Sequence, residues 1–140
     1  MTGRDEKRMV PIREKLLTEP LTPLEDVRLL GSECSECGEV NLGEVSSCQN
    51  CAGEDLAVIA LSERGKLWTF TVIRNRPPGD FKGDVPLGEG LVELPEGIRV
   101  KSPLVTADNL KIGMDVNFTA YPLYRNMSGE EVIAFRFDPV

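Results

Sequence analysis

The sequence predicts a mostly β protein in three parts. These are an N-terminal arm with a short helix (1–26), a four-cysteine zinc ribbon (27–56) and a small β-barrel (57–140). Three observations carry this reading. All four cysteines form two Cys-x-x-Cys pairs, Cys34/Cys37 and Cys48/Cys51, separated by ten residues. From Leu56 onward, β-branched and aromatic segments alternate with Gly- and Pro-bearing turns, with no helical run longer than a turn. The first ten residues are rich in charge, and Pro11 and Pro20 bracket the segment after them.

In the arm, "PIREKLLTEP" predicts a short helix, with Pro11 in its first turn and Pro20 ending it. Leu16 and Leu17 are its apolar side, to be buried on this chain or on a partner. "DVRLLGSE" then reads as a strand running into the first cysteine pair. A Cys-x-x-Cys turn aims two sulfurs at one point, and two such turns make the tetrahedral four-thiolate cage of a closed structural zinc site. Gly38 and Ala52-Gly53 follow the two pairs, and small residues there let the backbone turn tightly around the sulfurs. Paired disulfides require an oxidising compartment. Rubredoxin-type iron uses the same tetrahedron. A redox dithiol needs one pair at a helix start, whereas this sequence places two pairs in a loop-rich stretch. With four ligands filled, the metal has no open position; it folds the ribbon and does no chemistry.

Beyond the ribbon, "LAVIALSERGKLWTFTVIRN" predicts a strand near 56–62 and a longer one near 65–74, apolar on both faces, with Trp68 and Phe70 on one of them in the core or anchoring an interface. "RNRPPGDFKGDVPLG" is a long exposed loop. "EGLVELP" and "GIRVKSP" pair across Pro95–Gly97, "ADNLKIGM" turns, and "DVNFTAYPLY" and "VIAFRFD" form a hairpin about "RNMSGEE". Five or six strands in so short a span fit a barrel of OB type.

The chain has 140 residues, 23 acidic and 16 basic, for a net charge of −7. Four thiolates and one zinc ion bring this to about −9. Such a charge opposes nucleic acid and anionic membrane surfaces. No signal-peptide core or membrane-length apolar run stands in the sequence, so the expected location is cytoplasmic. Histidine is absent, which removes the Ser-His-Asp and Cys-His mechanisms, and with the cysteines committed to metal no catalytic motif remains.

A four-cysteine ribbon followed directly by a small barrel resembles a family long catalogued as a domain of unknown function: a rubredoxin-like zinc ribbon fused to an OB-fold and associated with acyl-CoA enzymes. The matching stretches are "LEDVRLLGSECSECG", "CQNCAGEDLAVIALSERGKLWTFTVI", "LGEGLVELPEGIRV", "NLKIGMDVNF" and "IAFRFDPV". The resemblance implies a non-catalytic companion of a thiolase-fold enzyme. Known settings include acetyl-CoA acetyltransferase assemblies, thiolase-like steroid side-chain aldolases and the thiolase that cleaves benzoylsuccinyl-CoA; other members accompany acyl-CoA hydratases. The partner carries the nucleophile and base, and the small subunit helps enclose the CoA thioester. The loop "IRNRPPGDF" lacks the histidine-arginine pair common there, and "GEVNLGEVSS" lacks the usual aromatic and prolines.

CoA phosphates call for cations. Arg74, Arg76 and Lys82 flank a proline-stiffened loop that also holds Phe81, a set suited to capping an acyl-CoA at a subunit interface. The same charges also read as solvated partners of Asp80 and Asp84. Arg99, Lys101 and Arg125 are weaker candidates, and Tyr121 and Tyr124 suit a rim or the barrel lining.

Overall fold

A computed structural model describes residues 8–74, 86–104 and 106–140. Among them are nine strands: β1 (Met9–Pro11), β2 (Leu30–Cys34), β3 (Val40–Leu42), β4 (Leu56–Ala60), β5 (Arg64–Ile73), β6 (Leu87–Glu93), β7 (Arg99–Leu104), β8 (Asp115–Arg125) and β9 (Glu131–Pro139). β3-β2-β4 form one sheet, and β5-β6-β7-β9-β8 close on β5 as a five-stranded barrel with β1 added beside β9. Neighbours in the barrel run antiparallel except for β7 and β9, which meet in parallel at Leu104 and Phe137. This is the Greek-key closure of an OB barrel, as the strand pattern predicts.

The barrel interior is packed shut. Leu67, Val92, Val100, Leu104, Val116, Ile133 and Phe137 are each no more than 3% exposed. Phe118, Phe135 and Phe137 form an aromatic cluster with ring centroids 5.8–6.3 Å apart. Gly90 shows how tight the wall is: a Cβ there would stand 2.7 Å from both Leu67 Cδ1 and the Thr69 carbonyl oxygen.

The predicted N-terminal helix is not formed. The described residues contain no α-helix, only a 3-10 turn at Leu24–Asp26. In its place the chain runs as a strap of bends and turns, with Lys15 at φ +64°, bonded to both sheets. The Ile12 N–H bonds the Ile133 carbonyl at 2.8 Å. Further on, Leu16 accepts from Leu30 at 2.7 Å, Lys15 accepts from Glu44 at 2.8 Å, and Leu17 bridges Leu29. Helix propensity is a weak prior of a few tenths of a kcal/mol per residue, and these distant partners outweigh it. The strap also buries two consecutive leucines, Leu16 at 4% and Leu17 at 1% exposure. Of the two fates open to them, they take burial on this chain. They join Val27, Leu29 and Leu61 in the same core as the barrel residues, so ribbon and barrel share one hydrophobic interior.

The long strand also differs from its reading. The register of β5 against β6 slips between Leu67 and Thr69, leaving Trp68 in a β-bulge. The slip switches which residues face inward. Leu67 is fully buried before it, Phe70 packs on the core after it, and Trp68 stands 46% exposed. Trp68 and Phe70 therefore do not share a face, and Trp68 is not a core residue.

Candidate metal centre

Both cysteine pairs lie on matching knuckles. The first follows β2: the Gly38 N–H returns to the Cys34 carbonyl at 2.9 Å, and Gly38 takes φ +80°. The second repeats it: the Ala52 N–H returns to the Cys48 carbonyl at 2.9 Å, with Ala52 at φ +65°. This left-handed turn suits glycine, and alanine tolerates it at a small cost. The knuckles face each other, and the four sulfurs lie within 4.8 Å of one another. Cys34 Sγ is 3.6 Å from Cys51 Sγ, and Cys37 Sγ is 3.6 Å from Cys48 Sγ. A disulfide requires about 2.05 Å. A tetrahedron with zinc–sulfur bonds of about 2.3 Å has edges of about 3.8 Å. The donor set and its spacing fit a divalent metal held by four thiolates.

The thiols are prepared unequally. The Cys51 and Asn50 backbone N–H groups and the Asn41 side chain, assisted by Cys37, favour the Cys48 thiolate against burial and bring its pKa down to about 6. The Gly53 N–H has the same effect on Cys51, but proton sharing with Cys34, Cys37 and Cys48, together with desolvation, pushes that thiol up to about 12. A bound cation replaces the shared protons.

Two residues that the sequence reading did not single out hold the second knuckle and the loop that leads into it. Asn41 in β3 is 3% exposed; its Nδ2 donates to the Ser32 carbonyl at 3.3 Å and its Oδ1 accepts the Gln49 N–H at 2.9 Å. Ser32 is fully buried; its hydroxyl donates to the Gly43 carbonyl at 2.7 Å and accepts the Val45 N–H at 3.1 Å. A lone polar residue between Val40 and Leu42 is the signal that could have marked Asn41.

Of the loop candidates, Arg74 is exposed just beyond β5, whereas Arg76, Phe81 and Lys82 lie outside the described residues. The weaker cations are engaged. Arg99 stacks over Trp68 with its guanidinium carbon 3.8 Å from the ring and pairs with Glu93 at 3.4 Å. Lys101 approaches Glu89 at 3.9 Å, and Arg125 bonds the Gly129 carbonyl at 2.6 Å. Tyr121 is half-buried under Arg136. An open groove of about 330 Å³ runs over the outer barrel face, lined by Thr69, Thr71, Glu89, Leu91 and Lys101. No helix among the described residues is long and apolar enough to cross a membrane.

Fold and site together define a class: a small protein of one cysteine ribbon strapped to an OB barrel, with four thiols gathered at a single site. Comparison with known proteins assigns the family. A family model described as the ChsH2 C-terminal OB-fold domain matches residues 58–120. A DUF35 domain-containing scaffold protein of Methanothermobacter thermautotrophicus is 32% identical over 112 residues, covering 78% of this chain and 83% of that protein. A benzoylsuccinyl-CoA thiolase subunit, BbsA, of Thauera aromatica is 30% identical over 110 residues, covering 78% and 74%. The solved structure of an Ltp2-ChsH2(DUF35) aldolase superposes with a TM-score of 0.63 at 25% identity, covering 80% of this chain and 84% of that one. The chain belongs to the DUF35 family.

Proposed function

We propose that this chain is a non-catalytic accessory subunit of a thiolase-type acyl-CoA enzyme. It docks on a larger thiolase-fold catalytic subunit and helps enclose the CoA thioester during CoA-dependent carbon–carbon cleavage. A benzoylsuccinyl-CoA type of substrate is the specific form of this reading. The observation that carries it is the relationship, over most of both chains, to a thiolase subunit. The chemistry agrees: every thiol lies in one cluster, histidine is absent, and the described inward residues pack the barrel interior. The metal is zinc in this reading, held by Cys34, Cys37, Cys48 and Cys51, and its role is to keep the ribbon folded. Arg74, Arg76, Phe81 and Lys82 form the loop that meets the CoA phosphates at the shared interface, and the cell compartment is the cytoplasm. A second reading, companion of a thiolase-like aldolase, is favoured by the aldolase structure that shares this fold.

The test is affinity purification from native cells under mild conditions, with mass spectrometry of the co-purifying chains. A thiolase-fold protein in near-stoichiometric amount is expected, inactive alone and active toward its thioester when this chain is restored. Metal analysis should give one zinc per chain and a colourless protein; a red protein would indicate rubredoxin-like iron. Recovery of the chain alone, or with single-stranded nucleic acid, would overturn the subunit reading in favour of a free-standing binding module.

A further inference from the structure

The ribbon has an open edge. In the order β3-β2-β4, β4 ends the sheet, and among the described residues it hydrogen-bonds to no strand but β2. The register fixes which of its backbone groups are used. The Leu61 N–H bonds the Leu29 carbonyl and the Asp55 carbonyl accepts from Ser35, so the hydrogen-bonded pairs of this antiparallel ladder fall at Ile59 with Gly31 and Ala57 with Glu33. Leu56, Val58 and Ala60 therefore turn their N–H and C=O groups away from β2, and no other described residue meets them. The strand reads Leu-Ala-Val-Ile-Ala, with no charge, proline or bulge, and Val58 is 49% exposed. Proteins ordinarily guard such an edge, because it is a template for another strand.

Charge selects the occupant. Residues 29–63, which span the three ribbon strands and both knuckles, hold seven of the 23 acidic residues and none of the 16 basic ones, so the rest of the chain is balanced at 16 of each and the whole net charge of −7 falls within this segment. Glu63 pairs with Arg28. Glu33, Glu36, Glu39, Glu44, Glu54 and Asp55 are exposed and have no ion pair among the described residues. A second copy docking edge to edge would bring two such surfaces together, and like charges in close apposition oppose that pairing.

We propose that the β4 edge is a strand-docking site for an extended, lysine- or arginine-bearing segment of the partner protein, which adds a fourth strand to the ribbon sheet. Main-chain bonds to Leu56, Val58 and Ala60 supply the pairing, and the acidic surround supplies the selectivity. The partner here is the catalytic subunit of the proposed function, and the inference rests on that reading for the partner's identity alone.

The test uses the full-length metal-loaded chain and two synthetic peptides, a lysine-flanked Val-Thr-Val-Thr-Val and its glutamate-flanked twin, with amide exchange read by NMR. At ten times its Kd the lysine peptide leaves about one edge in ten open, so exchange at Leu56, Val58 and Ala60 should slow about tenfold. Ala57 and Ile59, already bonded to β2, should not change, and the glutamate peptide should protect nothing. Val58→Pro removes an outward N–H and spares the β2 ladder, so it should abolish protection while metal binding persists. A lysine peptide N-methylated at alternate residues should give the same loss without altering the protein. Equal protection by both peptides, protection by neither, or protection that grows with protein concentration in the absence of peptide would each overturn the proposal, the last by placing a second copy on the edge. With the co-purified catalytic subunit, Val58→Pro should abolish the complex. A complex that survives Val58→Pro refutes the edge and leaves the accessory-subunit reading intact. Failure to find any partner, with selective peptide protection retained, refutes the subunit reading and leaves the strand site standing.

Discussion

Replacing Asn41 by alanine should weaken metal binding although Asn41 touches no metal. Its side chain bonds two strands' worth of ribbon to the knuckle that carries Cys48 and Cys51. Asn41→Ala deletes the bond from the Gln49 N–H at 2.9 Å and the longer one to the Ser32 carbonyl at 3.3 Å. The Ser32 carbonyl retains its ladder partner, because Ser32 and Asn41 are paired across β2 and β3. The Gln49 N–H is left without a partner, in a part-buried position next to Cys48. A buried donor left unpaired costs about 1–3 kcal/mol, and a neutral bond lost outright about 0.5–1.5 kcal/mol. The same side chain also supports the Cys48 thiolate. Ribbon folding and metal binding are one equilibrium. A cost of about 1.4–2.8 kcal/mol therefore emerges as metal affinity lowered about tenfold to a hundredfold, the range expected when a ligand's supporting residue is lost. The assay is competition against a chromophoric chelator at neutral pH, with circular dichroism confirming the metal-loaded fold. A dissociation constant within about twofold of the unsubstituted chain, in a folded variant, refutes the claim that Asn41 positions the knuckle.

Other outcomes follow from the same geometry. Cys34→Ser, or chelation of the metal, should unfold the ribbon and abolish the complex with a catalytic partner; if that variant bound its partner normally, the ribbon would not be the docking element. Leu17→Ala removes a fully buried side chain from the joint between strap, ribbon and barrel and should cost about 2–5 kcal/mol in chemical denaturation, whereas a leucine that packed on a partner would cost the isolated chain almost nothing. Arg8 and Asn126 hold the Glu130 carboxyl below its ordinary pKa of 4.5, so the stabilisation of β1 against the β8–β9 hairpin is present above that pH and is lost as pH falls through the lowered folded value. In Arg8→Ala, amide exchange at Ile12 should already be faster at neutral pH and should lose the acid-dependent rise that the parent shows.

The parts of this fold legible in the sequence are those whose causes are local. A Cys-x-x-Cys pair followed by a small residue encodes its own knuckle, so the cluster could be read from spacing alone. The barrel strands announce themselves through alternation, with Ile133 and Phe137 inward, and through turn residues such as Pro95 to Gly97. The failures have distant causes. The strap from Ile12 to Thr18 is composed like a helix, and it takes a bent, non-helical path because Leu30, Glu44, Arg28 and Ile133 supply partners far away in sequence. The bulge at Trp68 leaves no mark in "KLWTFTVI", where both faces are apolar in any register. Asn41 looks like an ordinary polar residue until its two partners are known. The loop bearing Arg76, Phe81 and Lys82 lies outside the described residues, so those candidates stand on sequence alone.

How the chain can take part in thioester chemistry is constrained by what its interior lacks. An eight-stranded barrel is only just wide enough to be filled by side chains. This five-stranded one closes on Leu67, Val92, Val100, Leu104 and Phe137, all within 3% of full burial. A ligand-sized site encloses most of its ligand, and the groove above Thr69, Thr71 and Leu91 is a single open wall. If this chain helps to hold a CoA thioester, the opposite wall must come from the partner. Affinity should then be a property of the assembly: titration of CoA into this chain alone should give a dissociation constant on the order of 1 mM or weaker, and the assembled enzyme a much tighter one. Micromolar CoA binding by the isolated chain would refute this division of the site. In the proposed accessory role the barrel, packed shut among its described residues, meets partner and ligand through its outer surface.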